Sequence, residues 1–494
     1  MRAAILVGMP LAAGLSAFVT RSNTARRTLL VGQALAHFLL VLSLWVQDPG
    51  PTLFGLFQVD APGLLFITLG SLLFLAVSIY SLGYLGAEKQ GKREDFQGQG
   101  AFINAPETRF TACLLLFESA MSLVCLAGHF GLMWAGVEAT TLASAPLIFF
   151  HRHHRSLEAA WKYLLICSVG IALALLGTVL LAMSAGGGES EASLRLDVLV
   201  SRAASLDPAW FKAAFVFLLV GYGTKMGLAP MHSWKPDAYS EAPSLVSALL
   251  AGALCNCAFL GILRIFQVAC ATGDPGFAQD LLLAFGLCSL AFAAVFIMDQ
   301  GDYKRMLAYS SVEHMGLLAF SLGIGGTAVF GGMLHAVNHS LTKGLLFLLA
   351  GNILAAYHTK SCHDITGAVH ALPRTGPLWM AGFLAIAGLP PFGLFVSEFT
   401  ILRAAFEAGR VIPAVACLAL LAVIFIGMAQ AVLRMSLGPV PAGMEGGVRE
   451  AGPLMWGPPL ALMVPCLMLG LYLPGPLVEV LARAARLFVT GVRP

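Results

Sequence analysis

The stretch GTKMGLAPMHSWKPDAYSEAPS, residues 223–244, determines how the rest of the chain is interpreted. It interrupts the apolar run that begins at residue 211 with three prolines, Pro230, Pro236 and Pro243. A helix cannot continue past a proline without losing a backbone hydrogen bond. Broken backbone at membrane depth survives only where it is buried in protein or lines a wet cavity. The stretch therefore predicts a membrane helix that is interrupted beside an internal polar site.

A second apolar run is broken in a similar way. The sequence AGLPPFGLFVSEF, residues 387–399, contains Pro390 and Pro391. The two breaks lie five predicted spans apart, and an odd offset implies two units of opposite orientation. Paired broken helices in inverted repeats indicate the ion path of a transporter. The halves share no clear residue-level identity, so this repeat is inferred from layout alone.

The composition is that of a membrane protein. Of the 494 residues, 58% are hydrophobic and 11% are charged, whereas about 25% are charged in a soluble globular protein. The net charge of +3 gives no argument for nucleic-acid binding. The ten cysteines are scattered and mostly lie in apolar runs. Their spacing is neither a zinc nor a redox signature, so we interpret them as buried, inert thiols.

Fourteen apolar runs are long enough to cross the roughly 30 Å hydrocarbon core as helices. They are residues 3–20, 28–46, 62–85, 110–128, 130–150, 160–183, 211–233, 243–266, 278–298, 306–323, 327–356, 376–402, 411–434 and 454–476, here numbered spans 1 to 14. We predict an all-α polytopic membrane protein with about fourteen transmembrane helices, of which helices 7 and 12 are broken. Four segments follow from this layout. They are residues 1–85 with spans 1–3, residues 110–266 with the first five-helix repeat, residues 278–434 with the second, inverted repeat, and residues 454–494 with span 14 and an amphipathic tail.

The loop cations predict the orientation, because cytoplasmic loops carry an excess of Lys and Arg. The odd-numbered loops hold sixteen, namely Arg21, Arg26, Arg27, Lys89, Lys92, Arg93, Arg109, Arg152, Arg155, Lys235, Lys304, Arg305, Lys360, Arg374, Arg434 and Arg449. The even-numbered loops hold five, namely Arg195, Arg202, Arg264, Arg403 and Arg410. We expect a multi-pass protein of the bacterial inner membrane with both termini on the periplasmic side. Residues 1–20 are interpreted as a retained helix, not a signal peptide.

Two ionisable residues lie inside spans of the first half. Glu138 is in the middle of span 5, and Lys225 directly precedes the Pro230 break. Ionisable residues within a membrane are costly and are functional by default, although a structural ion pair is the competing interpretation for Glu138. Burial disfavours the charged form of a lysine and a nearby carboxylate favours it. We therefore interpret Glu138 and Lys225 as a pair that can switch protonation.

The second half carries a column of ionisable residues on span 11. His335, His339 and Lys343 are spaced i, i+4, i+8, so they share one helix face. Histidine both gives and takes a proton near neutral pH, and the column resembles part of a proton relay. A metal site lacks a Glu, Cys or third His on that helix, and a bis-histidine haem would need ligands from two sides. A purely structural histidine pair remains a second interpretation.

Four further ionisable residues are candidates for the polar path. Glu398 follows the Pro390–Pro391 break and would end the row toward one side. Glu118 in span 4 could assist proton entry or face a polar partner subunit. His232 and Asp237 lie beside the span 7 break and could join the polar cavity.

The chain carries no recognisable redox or hydrolytic site. It has no phosphate-binding loop, nucleotide fingerprint, cysteine cluster motif or nucleophile triad. We therefore expect no metal and no cofactor in this chain, and a partner that supplies the energy.

Five motifs resemble a known family. WAGVEATTLAS, KMGLAPMHSWKPDAYSEAPSLVSALL, DYKRMLAYSSVEHMG, HAVNHSLTKGLLFLLAGN and GLPPFGLFVSEFTIL are similar to the antiporter-like subunits. These occur in respiratory complex I, the multisubunit cation/proton antiporters and the group 4 membrane hydrogenases. The resemblance covers roughly spans 3 to 13, and the sequence around span 5 resembles the hydrogenase 4 component F branch most closely.

The resemblance implies a fourteen-helix fold with inverted repeats and a central polar axis. It implies proton transfer by Glu138, Lys225, Lys343 and Glu398, with His335 and His339 beside Lys343. It also implies partners, namely other membrane subunits and a peripheral hydrogenase or dehydrogenase arm. One departure is span 8, where many relatives have a lysine or histidine. Here the middle of the run offers only Asn256 as a polar group, which leaves the link between the half-channels without an obvious proton carrier.

Four functions remain open at this point. The leading hypothesis is a proton-translocating subunit of a redox-driven complex of the hydrogenase 4 or complex I type. A sodium or potassium/proton antiporter subunit is the second, although adjacent Asp or Glu ligands are not evident. A membrane scaffold that docks a redox arm without transport is the third. A transporter of a small solute is the weakest, because no polar set of substrate size is present.

Overall fold

The protein is almost entirely helical, and the predicted spans are found with small shifts of their ends. The computed structural model describes residues 2–46, 50, 55–88, 93–94, 101–186, 193–440 and 450–488. The spans in chain order are Arg2–Val19, Asn23–Leu44, Ala61–Ala87, Glu107–Leu126, Phe130–Ile148, His154–Ala185, Pro208–Met226 with Trp234–Glu241, Ser244–Leu249 continued through Leu250–Leu254 to Cys255–Ala271, Gly276–Ile297, Tyr303–Ile324, Thr327–Tyr357, Thr375–Ile386 with Gly393–Glu407, Val411–Ser436 and Pro453–Leu471. The all-α polytopic fold with two interrupted spans is confirmed.

Small elements lie between and after the spans. They are the helices Leu196–Ser201, Ala203–Ser205 and Ala368–Ala371, the terminal helix Gly475–Arg486, and an antiparallel pair of two-residue strands, Arg93–Glu94 and Ala101–Phe102. The terminal helix buries Val480, Leu481 and Ala484 and exposes Arg483 and Arg486. Its predicted amphipathic character is therefore found up to residue 488.

Spans 2 and 6 begin five and six residues earlier than predicted, where side chains cap them. Span 2 starts at Asn23, where the Ser22 hydroxyl accepts a hydrogen bond from the Ala25 amide. Span 6 starts at His154, where the His153 Nδ1 accepts from the Ser156 amide at 3.1 Å. Such caps satisfy backbone donors that a helix end leaves without partners.

The spans divide into a buried centre and a lipid-facing periphery. The most apolar eighteen residues of span 8 are completely buried, whereas only 28% of the corresponding stretch of span 13 is buried. Within the described residues ten helices are long and apolar enough to cross a membrane. Spans 5, 7, 10 and 12 are the other four, because polar residues or a break interrupt them. Three of these four carry Glu138, Lys225 and Glu398.

Glycines bring the Lys225 helix close to its neighbour. A Cβ on Gly221 of span 7 would lie 2.6 Å from the carbonyl oxygen of Gly170 in span 6, and one on Gly177 would lie 2.9 Å from the Leu218 amide nitrogen. Small residues at such positions let membrane helices approach backbone to backbone. This contact fixes span 7 against the span that supplies Tyr163.

The break in span 7 is satisfied inside the protein. The first part ends at Met226, with Gly227 in the left-handed conformation at φ +83°. The Trp234 indole donates to the Thr224 carbonyl oxygen at 2.9 Å, and the Ala229 amide donates to the Ser289 hydroxyl at 2.9 Å. These partners replace the hydrogen bonds lost at the proline, as a buried break requires.

The break in span 12 has the same character. Span 12 stops at Ile386 and resumes at Gly393, and the Asn338 amide nitrogen donates to the Gly393 carbonyl oxygen at 2.8 Å. Both breaks contain a cis peptide bond, Ala229–Pro230 and Pro390–Pro391. The two interruptions thus lie five spans apart, while the division into the four predicted segments stays a prediction.

The loop-charge count needs three corrections. Lys235, Lys304 and Arg264 are buried, with at most 2% of each residue exposed, so none of them is a loop cation that interacts with lipid head groups. Lys89, Lys92 and Arg449, which entered the same count, lie outside the described residues. The remaining loop charges still favour odd loops on the cytoplasmic side, and the orientation stays a prediction.

Candidate functional site: a buried row of lysines, histidines and carboxylates

Lys225 is completely buried and is held by hydroxyl groups. Its Nζ donates to Tyr163 OH at 2.6 Å and to Thr141 Oγ1 at 2.8 Å, and it lies 4.4 Å from the centre of the Tyr163 ring. The Tyr163 hydroxyl lies 2.6 Å from Ser144 Oγ, which extends the chain of hydroxyls along span 5. Hydroxyls both accept and donate, so a proton can leave or reach Lys225 along this chain.

Glu138 lies near Lys225 without a direct ion pair. One carboxylate oxygen accepts from Ser168 Oγ at 3.2 Å, and the other is buried without a hydrogen-bond partner among the described residues. Thr141, one turn later on the same helix, is the residue that contacts the Lys225 ammonium. The two residues therefore lie within electrostatic range of each other across Thr141 and do not form a salt bridge. Their role as a switchable pair stays a prediction.

The histidines of span 11 meet a third histidine that the sequence argument missed. His335 Nε2 and His314 Nδ1 lie 3.0 Å apart, and the ring centres of His314 and His339 lie 5.1 Å apart. His335 Nδ1 also lies 3.1 Å from Ser397 Oγ in span 12. All three histidines are fully buried. His314 lies within the sequence SSVEHMG of span 10, where an ionisable pair in a predicted membrane helix was a signal that could have identified it.

Glu398 closes this histidine cluster from span 12. Ligand atoms of His314, His335 and Glu398 all lie within 4.8 Å of one another, and the carboxylate lies directly against Gly388, whose φ is +63°. By ligand type the three groups could also hold a metal ion. His314 and Glu398 lie on spans 10 and 12, so the sequence of span 11 alone does not reveal this group, and the expectation of no metal stays a prediction.

Lys343 repeats the arrangement of Lys225 in the second half. Its Nζ donates to Ser310 Oγ at 2.6 Å and to the Leu307 carbonyl oxygen at 2.8 Å. A carboxylate, Glu313 of span 10, lies within electrostatic range and is buried, with one oxygen lacking a hydrogen-bond partner in the described parts of the chain. Glu313 in span 10 and Glu138 in span 5 are five spans apart. The repeat offset itself could have identified Glu313 from the sequence.

Asn256 joins span 8 to span 11. Its Nδ2 donates to Ser340 Oγ at 2.7 Å and to the Gly252 carbonyl oxygen at 3.2 Å. The Gly252 carbonyl belongs to the wider turn Leu250–Leu254 within span 8. The predicted accessory position is thus close to the histidine column, since Ser340 follows His339 directly.

We call the set Glu138, Lys225, His314, His335, His339, Lys343 and Glu398 the central row. Glu118 lies away from it. It is 2% exposed, and its carboxylate is 3.3 Å from His37 Nδ1. His37 also lies within hydrogen-bond distance of Ser71 and Ser122. A cavity of about 10 Å³ borders these groups, about the volume that one water requires. The interpretation that Glu118 faces a partner subunit is wrong, because the side chain points into the bundle of spans 2 to 4.

His232 and Asp237 are placed differently from each other. His232 is buried among the rings of Phe292, Phe296 and Tyr309, with ring centres 5.4 to 6.3 Å away. Asp237 binds Lys162 at 2.8 Å and Arg305 at 2.9 Å, in a partly exposed ion-pair network. The prediction that Asp237 joins the polar cavity beside the span 7 break is therefore wrong, because surface cations engage its carboxylate.

Comparison with known proteins identifies relatives of the whole bundle. The family described as NADH:quinone oxidoreductase/Mrp antiporter, transmembrane, matches residues 127–424, which contain every residue of the central row. The chain is 37% identical to a hydrogenase-4 component F homolog of Methylacidiphilum infernorum over 444 residues, which are 87% of this chain and 90% of that protein.

Two further comparisons extend this result. The chain is 30% identical to NADH-quinone oxidoreductase subunit N of Desulforudis audaxviator, over 81% of this chain and 75% of that protein. A subunit of the membrane-bound sulfane sulfur reductase, an archaeal respiratory membrane complex, superposes with a TM-score of 0.86 at 20% identity, covering 99% of this chain and 97% of that one. At this identity the last likeness concerns the fold.

Proposed function

Because the chain belongs to the NADH:quinone oxidoreductase/Mrp antiporter transmembrane family, we propose that it is the proton-translocating subunit of a redox-driven membrane complex of the hydrogenase 4 or complex I type. Its partners are other membrane subunits and a peripheral hydrogenase or dehydrogenase arm in the bacterial inner membrane. The observation that carries the proposal is the row of buried lysines and histidines that begins at Lys225 and ends beside the half-buried Glu398, in which ionisable groups contact hydroxyls or one another.

Each group has a role that its contacts support. Glu138 lies within electrostatic range of Lys225 across Thr141, so a change at Glu138 alters how readily Lys225 releases its proton. His314 and His335 share one N–H between two nitrogens 3.0 Å apart. An imidazole can accept a proton at one nitrogen and release one from the other. Glu398 lies next to this pair and exchanges protons with the far side.

Antiport of sodium or potassium is the competing function within this family. Hard cations prefer several oxygen ligands, whereas the central row is built mainly from lysine and histidine nitrogens. These donors support proton transfer instead. A scaffold without transport would have no use for buried lysines that contact hydroxyls.

The proposal predicts a transport defect in Glu138→Gln. We expect proton movement per electron transferred to fall about tenfold, because Lys225 loses a charge within its electrostatic range, and one such charge contributes on the order of 1–2 kcal/mol at an effective dielectric of about 20. The measurement uses membrane vesicles from cells that make the complete complex. Dye quenching reports proton movement, and the electron-transfer rate is measured in the same vesicles.

A surface carboxylate provides the matched control. Glu407 is about half exposed and pairs with Arg403, and Glu407→Gln should leave the ratio unchanged. If assembled Glu138→Gln keeps the normal ratio, the scaffold interpretation is favoured and the proposal is wrong. Proton movement that requires Na⁺ or K⁺ in the wild type would instead support antiport.

A further inference from the structure

Lys235 is a buried lysine that the proposed proton path has not yet used. It lies at the start of the second part of span 7, Trp234–Glu241, just after the break. Its side chain is 0% exposed, although its position between prolines in the sequence is typical of a loop. A lysine is almost never fully buried unless it is paired, so the contacts of its ammonium group indicate its role.

The Lys235 ammonium has few partners. Its Nζ donates to the Met226 carbonyl oxygen at 2.8 Å and lies 3.5 Å from the Ser311 carbonyl oxygen. It also lies 5.6 Å from the centre of the Tyr239 ring. No carboxylate of the described chain comes within 4.0 Å. The Lys235 ammonium is therefore held by backbone carbonyl oxygens, and no counter-charge bound within the described chain prevents it from releasing its proton.

The backbone leaves a path for this side chain. Gly227, in the left-handed conformation at the end of the first part of span 7, lies beneath it, and a Cβ there would be 2.7 Å from Lys235 Cδ. Gly227 therefore ends the helix that carries Lys225. Because it has no side chain, it also lets the aliphatic part of Lys235 cross that helix end toward span 10.

The contacts of Lys235 connect the two halves of the row. Met226 follows Lys225 directly in span 7, and Ser311 lies one turn before His314 in span 10. The Lys235 charge lies within electrostatic range of His314, His339 and Lys343. Lys225, Lys235 and Lys343 all lie within electrostatic range of Cys255, in span 8. Lys235 thus neighbours the proton carriers of both halves.

Span 8 itself offers no such carrier. Asn256 is its polar residue at this depth, and its amide donates to Ser340. An amide group does not take up and release protons near neutral pH, whereas an amine does. We propose that Lys235 is the proton carrier that links Lys225 to the histidine cluster of spans 10 and 11, in place of an ionisable side chain on span 8. This inference rests on the proposed function.

The proposed transfer exchanges only N–H bonds. The Lys225 ammonium loses a proton, through intervening water, to the neutral amine of Lys235. The Lys235 ammonium then loses a proton to a neutral imidazole of His339 or His314. No redox change or other bond cleavage is involved, and the charge moves by one unit at each step.

A purely structural role is the alternative, and arginine separates the two. The Lys235 ammonium caps the C-terminal end of the first part of span 7, where cations are stabilising. Arginine can supply this cap, but it does not lose its proton in proteins. We expect Lys235→Arg and Lys235→Met to lower proton movement per electron at least tenfold, whereas Lys235→His, which titrates, keeps a measurable part of it with an altered pH profile.

The experiment uses the complete complex in vesicles, with the amount of assembled chain determined for each variant. Lys304→Arg is the matched control, because Lys304 is also buried and donates to a helix-end carbonyl, that of Ala242, at 2.7 Å. The proton movement per electron of Lys304→Arg should stay within twofold of the wild type. Normal coupling in assembled Lys235→Arg would overturn the inference and leave only the cap. If Lys235→Arg does not assemble, Lys235→His is the deciding variant. Complete loss of proton movement in an assembled Lys235→His complex would also overturn the inference.

Comparison of Lys235→Arg with Glu138→Gln separates failure of this inference from failure of the proposed function. If Lys235→Arg is normal while Glu138→Gln is defective, the row translocates protons without Lys235. If both variants are normal, the function itself is wrong.

Discussion

Lys225→Met will reduce proton movement per electron to the background of vesicles that lack the chain, while electron transfer continues. Lys225 is completely buried, and among the described residues its ammonium donates to the Tyr163 and Thr141 hydroxyls at 2.6 and 2.8 Å. Methionine fills a similar volume but carries no proton. Every proton that uses the first half of the row must be held at this position, so the loss is larger than for Glu138→Gln.

Two further variants define what the Lys225 result means. Lys225→Arg keeps the positive charge but does not release its proton, and it should be as defective as the Met variant. Lys212 lies on the same helix, is exposed, and sits 5.6 Å from the centre of the Phe277 ring. Lys212→Met should translocate normally. Unchanged coupling in an assembled Lys225→Met complex would exclude Lys225 from the proton path.

Arg264→Met will strongly lower the free energy of unfolding of the chain, because it breaks a buried ion pair. The Arg264 guanidinium, 3% exposed, binds both carboxylate oxygens of Asp60, with Nη2 at 2.8 Å from Oδ1. Asp60 also caps span 3 by accepting from the Gly63 amide at 3.0 Å. Removing one partner of a buried pair leaves an uncompensated charge and costs about 3–5 kcal/mol. Because Asp60 is partly exposed, we expect a loss of about 3 kcal/mol in the free energy of unfolding.

Unfolding of the purified chain in mixed detergent micelles measures this effect. Arg403 forms an exposed pair with Glu407, and Arg403→Met should cost at most about 0.5 kcal/mol. The double variant Arg264→Met/Asp60→Asn should recover part of the loss, since no unpaired charge remains. A single variant within 1 kcal/mol of the wild type would show that the pair does not hold spans 3 and 8 together.

The Arg264 substitution should affect stability and the Lys225 substitution should affect proton movement, because the two charges have different partners. Arg264 and Asp60 satisfy each other, so their loss is structural. Lys225, Lys235 and Lys343 are bound by hydroxyls or carbonyl oxygens, and no carboxylate of the described chain lies within 4.0 Å of their ammonium groups. A buried lysine with such partners is poorly suited to hold a fold together and well suited to exchange a proton.

The sequence by itself determined the class of fold and most of the central row. Long apolar runs fix transmembrane helices because the bilayer demands internally satisfied backbone, and prolines fix the places where spans 7 and 12 break. The i, i+4, i+8 spacing placed His335, His339 and Lys343 on one face, and rare charges in apolar runs identified Glu138, Lys225 and Glu398. These features are local along the chain, so they can be derived without knowing which helices touch.

Only the tertiary structure decided which helices supply the partners. Periodicity defines the face of a helix but not what lies opposite it, and so it could not bring His314 to His335 or Tyr163 to Lys225. It also could not distinguish a loop lysine from a buried one, because the side chain of Lys235 reaches the interior only where Gly227 and span 10 make room for it. The route between the two halves is therefore a property of packing across the span 7 break.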